Sequence, residues 1–418
     1  MKSRRIVPLI AAALLVLTGV AIAAPSNGKV VRAEGAELAA GRYVVVLEDS
    51  AVAGTVAAAQ AATFGFDVLH VYSHTLQGYA AKMPASVAQA VAALPGVKWV
   101  EQDRIFRATA QSLPSGIDRV DADLSTTAGI NNVDTRVNVD VAVIDTGVDL
   151  NHPDLNVYTA GQKNCTFFGL FANADDDNGH GSHVAGTIGA LDNNDGVVGV
   201  APGARIWPVK VLNAAGVGFG SDIICGIDYV ASRSSEIEVA NMSLGGGGTD
   251  RGACGAGGDS QHAAICDAVN SGVTFVVAAG NDSSDAAGFT PAAYDEVITV
   301  SALADFNGQP GGGAPSTCTA DVDDTFANFS NYGADVDIIA PGVCINSTVP
   351  GGGYDNTYSG TSMASPHVAG GAALYKAVNP SATPAQVRAA LIAAGTLNWN
   401  SSDDPDGVQE RLLNVASF

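Results

Sequence analysis

Hydrophobic positions fall in two rhythms along this chain. Before residue 106, short apolar runs alternate with Ala-rich stretches. Strands are predicted over 43–47, 79–83 and 97–101, and helices over 52–63 and from Ser86 to Leu94. They form a small α+β module, folded over about 41–106, of a size (about 65 residues) that folds with little stability to spare. Residues 107–115 are polar and aperiodic, like an exposed linker, and a maturation cut is expected between Phe106 and Gln111. Beyond it, apolar runs over 139–143, 206–211, 274–278, 297–300 and 337–340 are separated by helical stretches, with a last helix expected around Glu410–Leu413. Continuous apolar runs suit strands buried on both faces, so an α/β fold is predicted, with a central mostly parallel sheet flanked by helices. Ligands in such folds gather at the carboxyl ends of the strands.

The amino terminus adds a segment that is not part of either module. Lys2, Arg4 and Arg5 precede an apolar run over 6–20 and the small residues Ala21-Ile22-Ala23, the pattern of a cleaved export signal over 1–23. The run is short for a membrane span and no second one follows, so a secreted protein without a membrane anchor is expected. A chain of 418 residues with 47% hydrophobic and 15% charged positions argues against disorder. A formal net charge of -22 argues against a nucleic-acid partner, since phosphate binding needs clustered Lys and Arg. Cys165, Cys225, Cys254, Cys266, Cys318 and Cys344 all lie in the second module, where export favours disulfides. Sequence leaves about fifteen connectivities open. Pairs Cys254–Cys266 and Cys318–Cys344 would each tether a Gly-rich stretch, and the lack of CxxC or HxxxH spacing argues against zinc.

Three residues stand out chemically. Asp145 ends the apolar run over 139–144 just before Thr146-Gly147; a carboxylate there needs a partner, and alone it reads equally as a cap or a metal ligand. His180, in Asn178-Gly179-His180-Gly181-Ser182-His183, opens a helical pattern and stays near solvent, as a general base must; His183 reads as a core residue. Ser362, in Gly360-Thr361-Ser362-Met363-Ala364-Ser365-Pro366, opens an Ala-rich helix, where its backbone N–H favours negative charge; a capping serine is the plainer reading.

These three segments, in the order Asp, His, Ser, resemble the subtilisin-like serine peptidases nearly residue for residue, from about Ala110 to the C-terminus. Ser182 departs from the family's usual threonine. The first module resembles the family's inhibitory propeptide. The resemblance implies a signal peptide over 1–23, a ferredoxin-like propeptide over 24–109 and a subtilisin-like peptidase domain over 110–418. It implies Ser362 as nucleophile, His180 as base and then acid, Asp145 as its orienting partner, and Asn281 as an oxyanion donor. Ser243, Leu244, Gly245 and Gly246 match the substrate-binding strand, and Gly245, Gly246 and Gly280 the specificity pocket, with Thr290-Pro291 at a cis proline. No charge is evident in that pocket, so broad cleavage of polypeptides after apolar or aromatic residues is expected. A structural Ca2+ is implied at Gln111, Asp154, Leu191, Asn193, Asp195 and Val197, and a weaker site at Asp335 and Asp337. The propeptide is the expected inhibitor and folding aid, and the mature protein is expected to be a monomer. Residues 247–266 and 308–324 exceed the family pattern and read as disulfide-pinned surface loops. Competing functions are a processing peptidase selective for basic sites, with Asp176, Asp177 and Asp282 as candidate pocket acids, an inactive binding scaffold, and a calcium-dependent adhesion protein.

Overall fold

The computed structural model describes residues 30–33, 38–104, 111–166, 173–254 and 256–418. The expected export signal and the linker up to residue 110 lie outside them. Two compact units divide the chain, one ending at Ala108 and the other starting at Thr109.

The first unit contains β1 (Val30–Val31), β2 (Leu38–Leu47), α1 (Ala53–Phe64), β3 (Asp67–Tyr72), β4 (Gly78–Lys82), α2 (Ala85–Ala92) and β5 (Val97–Arg104). The sheet order is β1-β5-β2-β4-β3, antiparallel except between β1 and β5. Val45 and Leu47 of β2, Tyr79 of β4 and Val100 of β5 bury against Ala57 of α1 and Val91 of α2. β3 was not anticipated because none of its residues is fully buried, so it carries no apolar run.

The second unit runs α3 (Ser115–Arg119), β6 (Asp140–Asp145), β7 (Lys163–Asn164), α4 (His180–Gly189), β8 (Arg205–Lys210), α5 (Gly220–Ala231), β9 (Val239–Met242) and β10 (Gly246–Gly247). It continues with α6 (Ser260–Asn270), β11 (Thr274–Ala278), β12 (Phe289–Thr290), β13 (Ile298–Ala304), β14 (Thr325–Phe326) and β15 (Ile338–Pro341). The hairpin β16 (Ile345–Val349) and β17 (Gly353–Tyr358), α7 (Thr361–Val378) and α8 (Pro384–Ala394) complete it. The main sheet is ordered β14-β13-β11-β9-β6-β8-β7 with β15 beside β13, and all pairings but β13–β14 are parallel.

Period-two geometry gives this sheet two cores. Val141 and Val143 of β6 and Val276 of β11 join Val184 and Ile188 of α4 and Val368 and Leu374 of α7. Their neighbours Ala142, Ile144, Phe275 and Val277 face the opposite way, onto Ile227 and Val230 of α5 and Ile265 and Ala268 of α6. Burial on both faces explains the unbroken apolar runs. The Glu410–Leu413 segment is not helical: Leu412 bridges to Ile339 and Thr396, so the apolar pair there caps the sheet instead.

All six cysteines pair, as Cys165–Cys225, Cys254–Cys266 and Cys318–Cys344. The second disulfide ties the 247–266 stretch to α6, so the end of that stretch is helical rather than loop. No helix among the described residues is long and apolar enough to cross a membrane.

Candidate active site

Because the sheet is parallel, one rim collects the strand ends. Asp145 ends β6, Ser243 follows β9, Gly280 and Asn281 follow β11, and the first turns of α4 and α7 bring His180 and Ser362 to that rim. The start of α4 presses onto the end of β6, and a Cβ on Gly181 would lie 2.0 Å from the Gly147 carbonyl oxygen, so glycine is needed there.

His180 Nδ1 lies 2.8 Å from Asp145 Oδ1, which also accepts from the Thr146 N–H at 2.6 Å. Asp145 is fully buried, whereas 23% of the His180 side chain is exposed. Burial disfavours the imidazolium, but the charge of Asp145, its hydrogen bond and the charge of Asp176 outweigh burial, and the His180 pKa rises above its ordinary value. Asp176, not foreseen in this role, ties the corner together. It accepts from the N–H groups of Asn178, Gly179 and Ser182 and from the hydroxyls of Ser182 and Thr146. The Thr146 hydroxyl in turn accepts from the Gly181 N–H at 2.9 Å. Burial opposes the Asp176 charge, yet these bonds hold its pKa below the usual range. His183 is buried against Tyr358, with Nε2 2.9 Å from the Ile345 carbonyl oxygen, and burial lowers its pKa to about 4.

The Ser362 hydroxyl donates to the Ser243 carbonyl oxygen at 3.2 Å, and the Ser243 hydroxyl donates to the Ser362 carbonyl oxygen at 2.7 Å. Asn281 Oδ1 accepts from both the N–H (2.8 Å) and the hydroxyl (2.9 Å) of Thr361, which fixes the amide with Nδ2 on the other side. A Cβ built on Gly360 would stand 3.4 Å from Asn281 Nδ2 and 3.6 Å from the Ser362 N. Asn281 Nδ2 and the Ser362 N therefore both adjoin Gly360 at the start of α7.

A cleft of about 380 Å³ lies along His180, Ser243, Leu244 and Gly245, with Leu212 and Ile223 among its apolar lining. Residues 243–245 follow β9 rather than belonging to it, and only Gly246 enters a strand, pairing with Thr290 while Gly247 pairs with Phe289. Phe289 was missed by sequence reasoning, since a lone aromatic carries no signal. Its ring lies against both Gly245 and Gly280, where a Cβ would come within 2.3 Å and 3.1 Å of it. The Thr290–Pro291 bond is cis. Of the candidate pocket acids, Asp176 is occupied as described and Asp177 binds Lys210 Nζ at 2.6 Å.

The residues suggested for calcium lie together, linked by hydrogen bonds. Gln111 Oε1 accepts from the Asn193 N–H at 2.8 Å, Asp154 Oδ1 from Asn193 Nδ2 at 2.9 Å, Asp154 Oδ2 from the Val197 N–H at 3.1 Å, and Asn193 Oδ1 from the Asp195 N–H at 2.8 Å. Leu191 donates its N–H to the Asp154 carbonyl oxygen. Burial pushes Asp154 up to about 7, which marks a carboxylate short of positive charge, and an all-oxygen donor set fits a hard cation. Of Asp335 and Asp337, suggested for a weaker site, Asp337 Oδ1 accepts from Arg388 Nε of α8 at 2.8 Å, and the same guanidinium donates to the Asp295 carbonyl oxygen at 2.7 Å. Arg388 lies far along the sequence from both acids, so no local motif announced it.

Residues 137–410 match the subtilase family of peptidases, and residues 42–109 match the peptidase inhibitor I9 family. Subtilisin NAT of Bacillus subtilis subsp. natto is 41% identical over 311 residues, covering 73% of this chain and 72% of that protein. The extracellular serine proteinase of Thermus sp. (strain Rt41A) is 36% identical over 390 residues, 87% of each chain. Among solved structures, a cold-adapted subtilisin-like serine proteinase aligns with a TM-score of 0.55 and 35% identity, over 72% of this chain and 97% of that one. With a family match over residues 137–410 and 41% identity over 311 residues, the chain belongs to the subtilase family and is a serine endopeptidase preceded by an I9 propeptide domain.

Proposed function

We propose that the chain is a secreted endopeptidase of broad specificity that works through Asp145, His180 and Ser362, with Asn281 completing the oxyanion hole. The observation that carries this reading is the 2.8 Å contact of His180 Nδ1 with the buried Asp145 at the rim to which α7 brings Ser362, with Asn281 Nδ2 and the Ser362 N both beside Gly360. In the reaction, the Ser362 hydroxyl turns from the Ser243 carbonyl toward His180 Nε2, gives up its proton and attacks the peptide carbonyl carbon. The carbonyl oxygen, now negative, moves between the two donors. His180 then delivers its proton to the leaving amine, and Asp145 holds the imidazole and stabilises its charge. Water repeats the sequence on the acyl-enzyme.

Apolar cleavage sites are favoured by Leu212 and Ile223 along the cleft and by Phe289 against Gly245, and Asp176 and Asp177 are already engaged with partners inside the protein. The I9 domain serves as the chain's own inhibitor until it is removed, which is the zymogen arrangement. At Gln111, Asp154 and residues 191–197, a bound calcium ion would neutralise Asp154 and fasten the N-terminal segment to the loop.

Hydrolysis of a peptide library by the processed protein, with and without a calcium chelator, tests these points. Cleavage after apolar residues and faster inactivation under chelation are expected. Cleavage confined to Arg and Lys sites would overturn the pocket reading, and indifference to chelation would overturn the calcium reading.

A further inference from the structure

The loop between Trp399 and Glu410, with sequence Trp-Asn-Ser-Ser-Asp-Asp-Pro-Asp-Gly-Val-Gln-Glu, contains a feature that catalysis does not use. Asp404 is 8% exposed and Glu410 7% exposed. Neither carboxylate oxygen of Asp404 has a hydrogen-bond partner, nor does Oε2 of Glu410. The Asp404 carboxyl lies within hydrogen-bonding reach of the Glu410 and Asp406 carboxyls and near the Asp406 N–H, and carboxyl groups make such a contact only through a shared proton or a bridging cation. Donors that could have answered them are spent elsewhere: Gln409 Nε2 on the carbonyl oxygens of Leu397 and Trp399, and Arg411 on the Gly395 carbonyl oxygen.

We propose that Asp404 and Glu410, with Asp406 at their side, hold a divalent, oxygen-preferring cation of the calcium type. Two buried anions in contact are costly unless a positive charge sits between them. Without one, the two facing carboxyl groups would have to share a proton. The donor atoms are all oxygen, which selects a hard cation over zinc. This site is distinct from the cleft and from the Asp154 loop, and it does not rest on the catalytic assignment.

Trp399 supplies the probe, because its Nε1 donates to the Glu410 carbonyl oxygen at 2.9 Å and places an indole beside the site. The processed protein, blocked with a fluorophosphonate to prevent self-digestion and stripped with EDTA, is titrated with terbium under indole excitation. Saturable emission that calcium competes away is expected. Asp404→Asn/Glu410→Gln should weaken that emission titration at least about a hundredfold and bind one calcium fewer per chain in equilibrium dialysis. Trp399→Phe should lose the emission and keep the calcium count. The amides are isosteric and relieve repulsion, so the double variant should melt in EDTA no lower than wild type, and Glu410→Gln alone repeats the test. Equal calcium counts in wild type and either amide variant, or no indole-sensitised emission from wild type, would overturn the proposal and leave the pair sharing a proton.

Discussion

Asp176 and Asp404 are buried to a similar degree, at 9% and 8% exposed, but the chain surrounds them differently. Backbone and hydroxyl donors from residues 146 and 178–182 converge on Asp176, whereas both oxygens of Asp404 are left bare. The first carboxylate is finished by the protein, so its charge can be spent on the neighbouring imidazole of His180. The second is unfinished and calls for a ligand from outside. Asp337 lies between these extremes, finished by one long-range guanidinium. A buried charge is therefore informative through its donors more than through its burial.

The contrast predicts that chemistry at the cleft depends on the protein's own groups. Ser362→Ala should lower turnover by about a millionfold, the size known for the equivalent loss in a subtilisin, while leaving calcium binding unchanged by dialysis. Asn281→Ala should cost roughly a hundred- to a thousandfold in kcat with little change in KM, again a subtilisin figure, as steady-state kinetics would show. Arg388→Ala strips Asp337 of its partner; since the arginine side chain is 37% exposed and Asp337 only 8%, a loss of about 1–2 kcal/mol in thermal unfolding is expected, with kcat/KM intact. The smallest effect belongs to Asp176→Asn. His180 must be neutral to accept a proton, so activity falls as pH drops through its raised pKa, and removing the Asp176 charge should move that acidic limb to lower pH. The other groups facing His180, Asp145 and the neutral His183, are unchanged in this variant. An acidic limb that stays in place, with the fold intact, would show that Asp176 acts through packing alone.

Much of this was legible in sequence because the signals were local. The runs at 139–143 and 274–278 exposed the buried parallel strands, and Asp145, His180 and Ser362 each sit within a short segment at an element boundary. What escaped depended on distant pairings. Phe289 reaches Gly245 and Gly280 only through the fold, Arg388 finds Asp337 across 51 positions, and the apolar pair Leu412-Leu413 suggested a helix where tertiary bridging to Ile339 made an extended segment. The strand β9 was passed over because Asn241 interrupts its apolar run.

The central claim is that Ser362 is a nucleophile activated by His180 and Asp145. Its most direct test is to react the processed protein with a fluorophosphonate at several pH values and locate the adduct by peptide mass spectrometry. The account predicts a single adduct on Ser362, forming more slowly as His180 becomes protonated. No adduct on intact, processed protein, or an adduct on another residue, would contradict it.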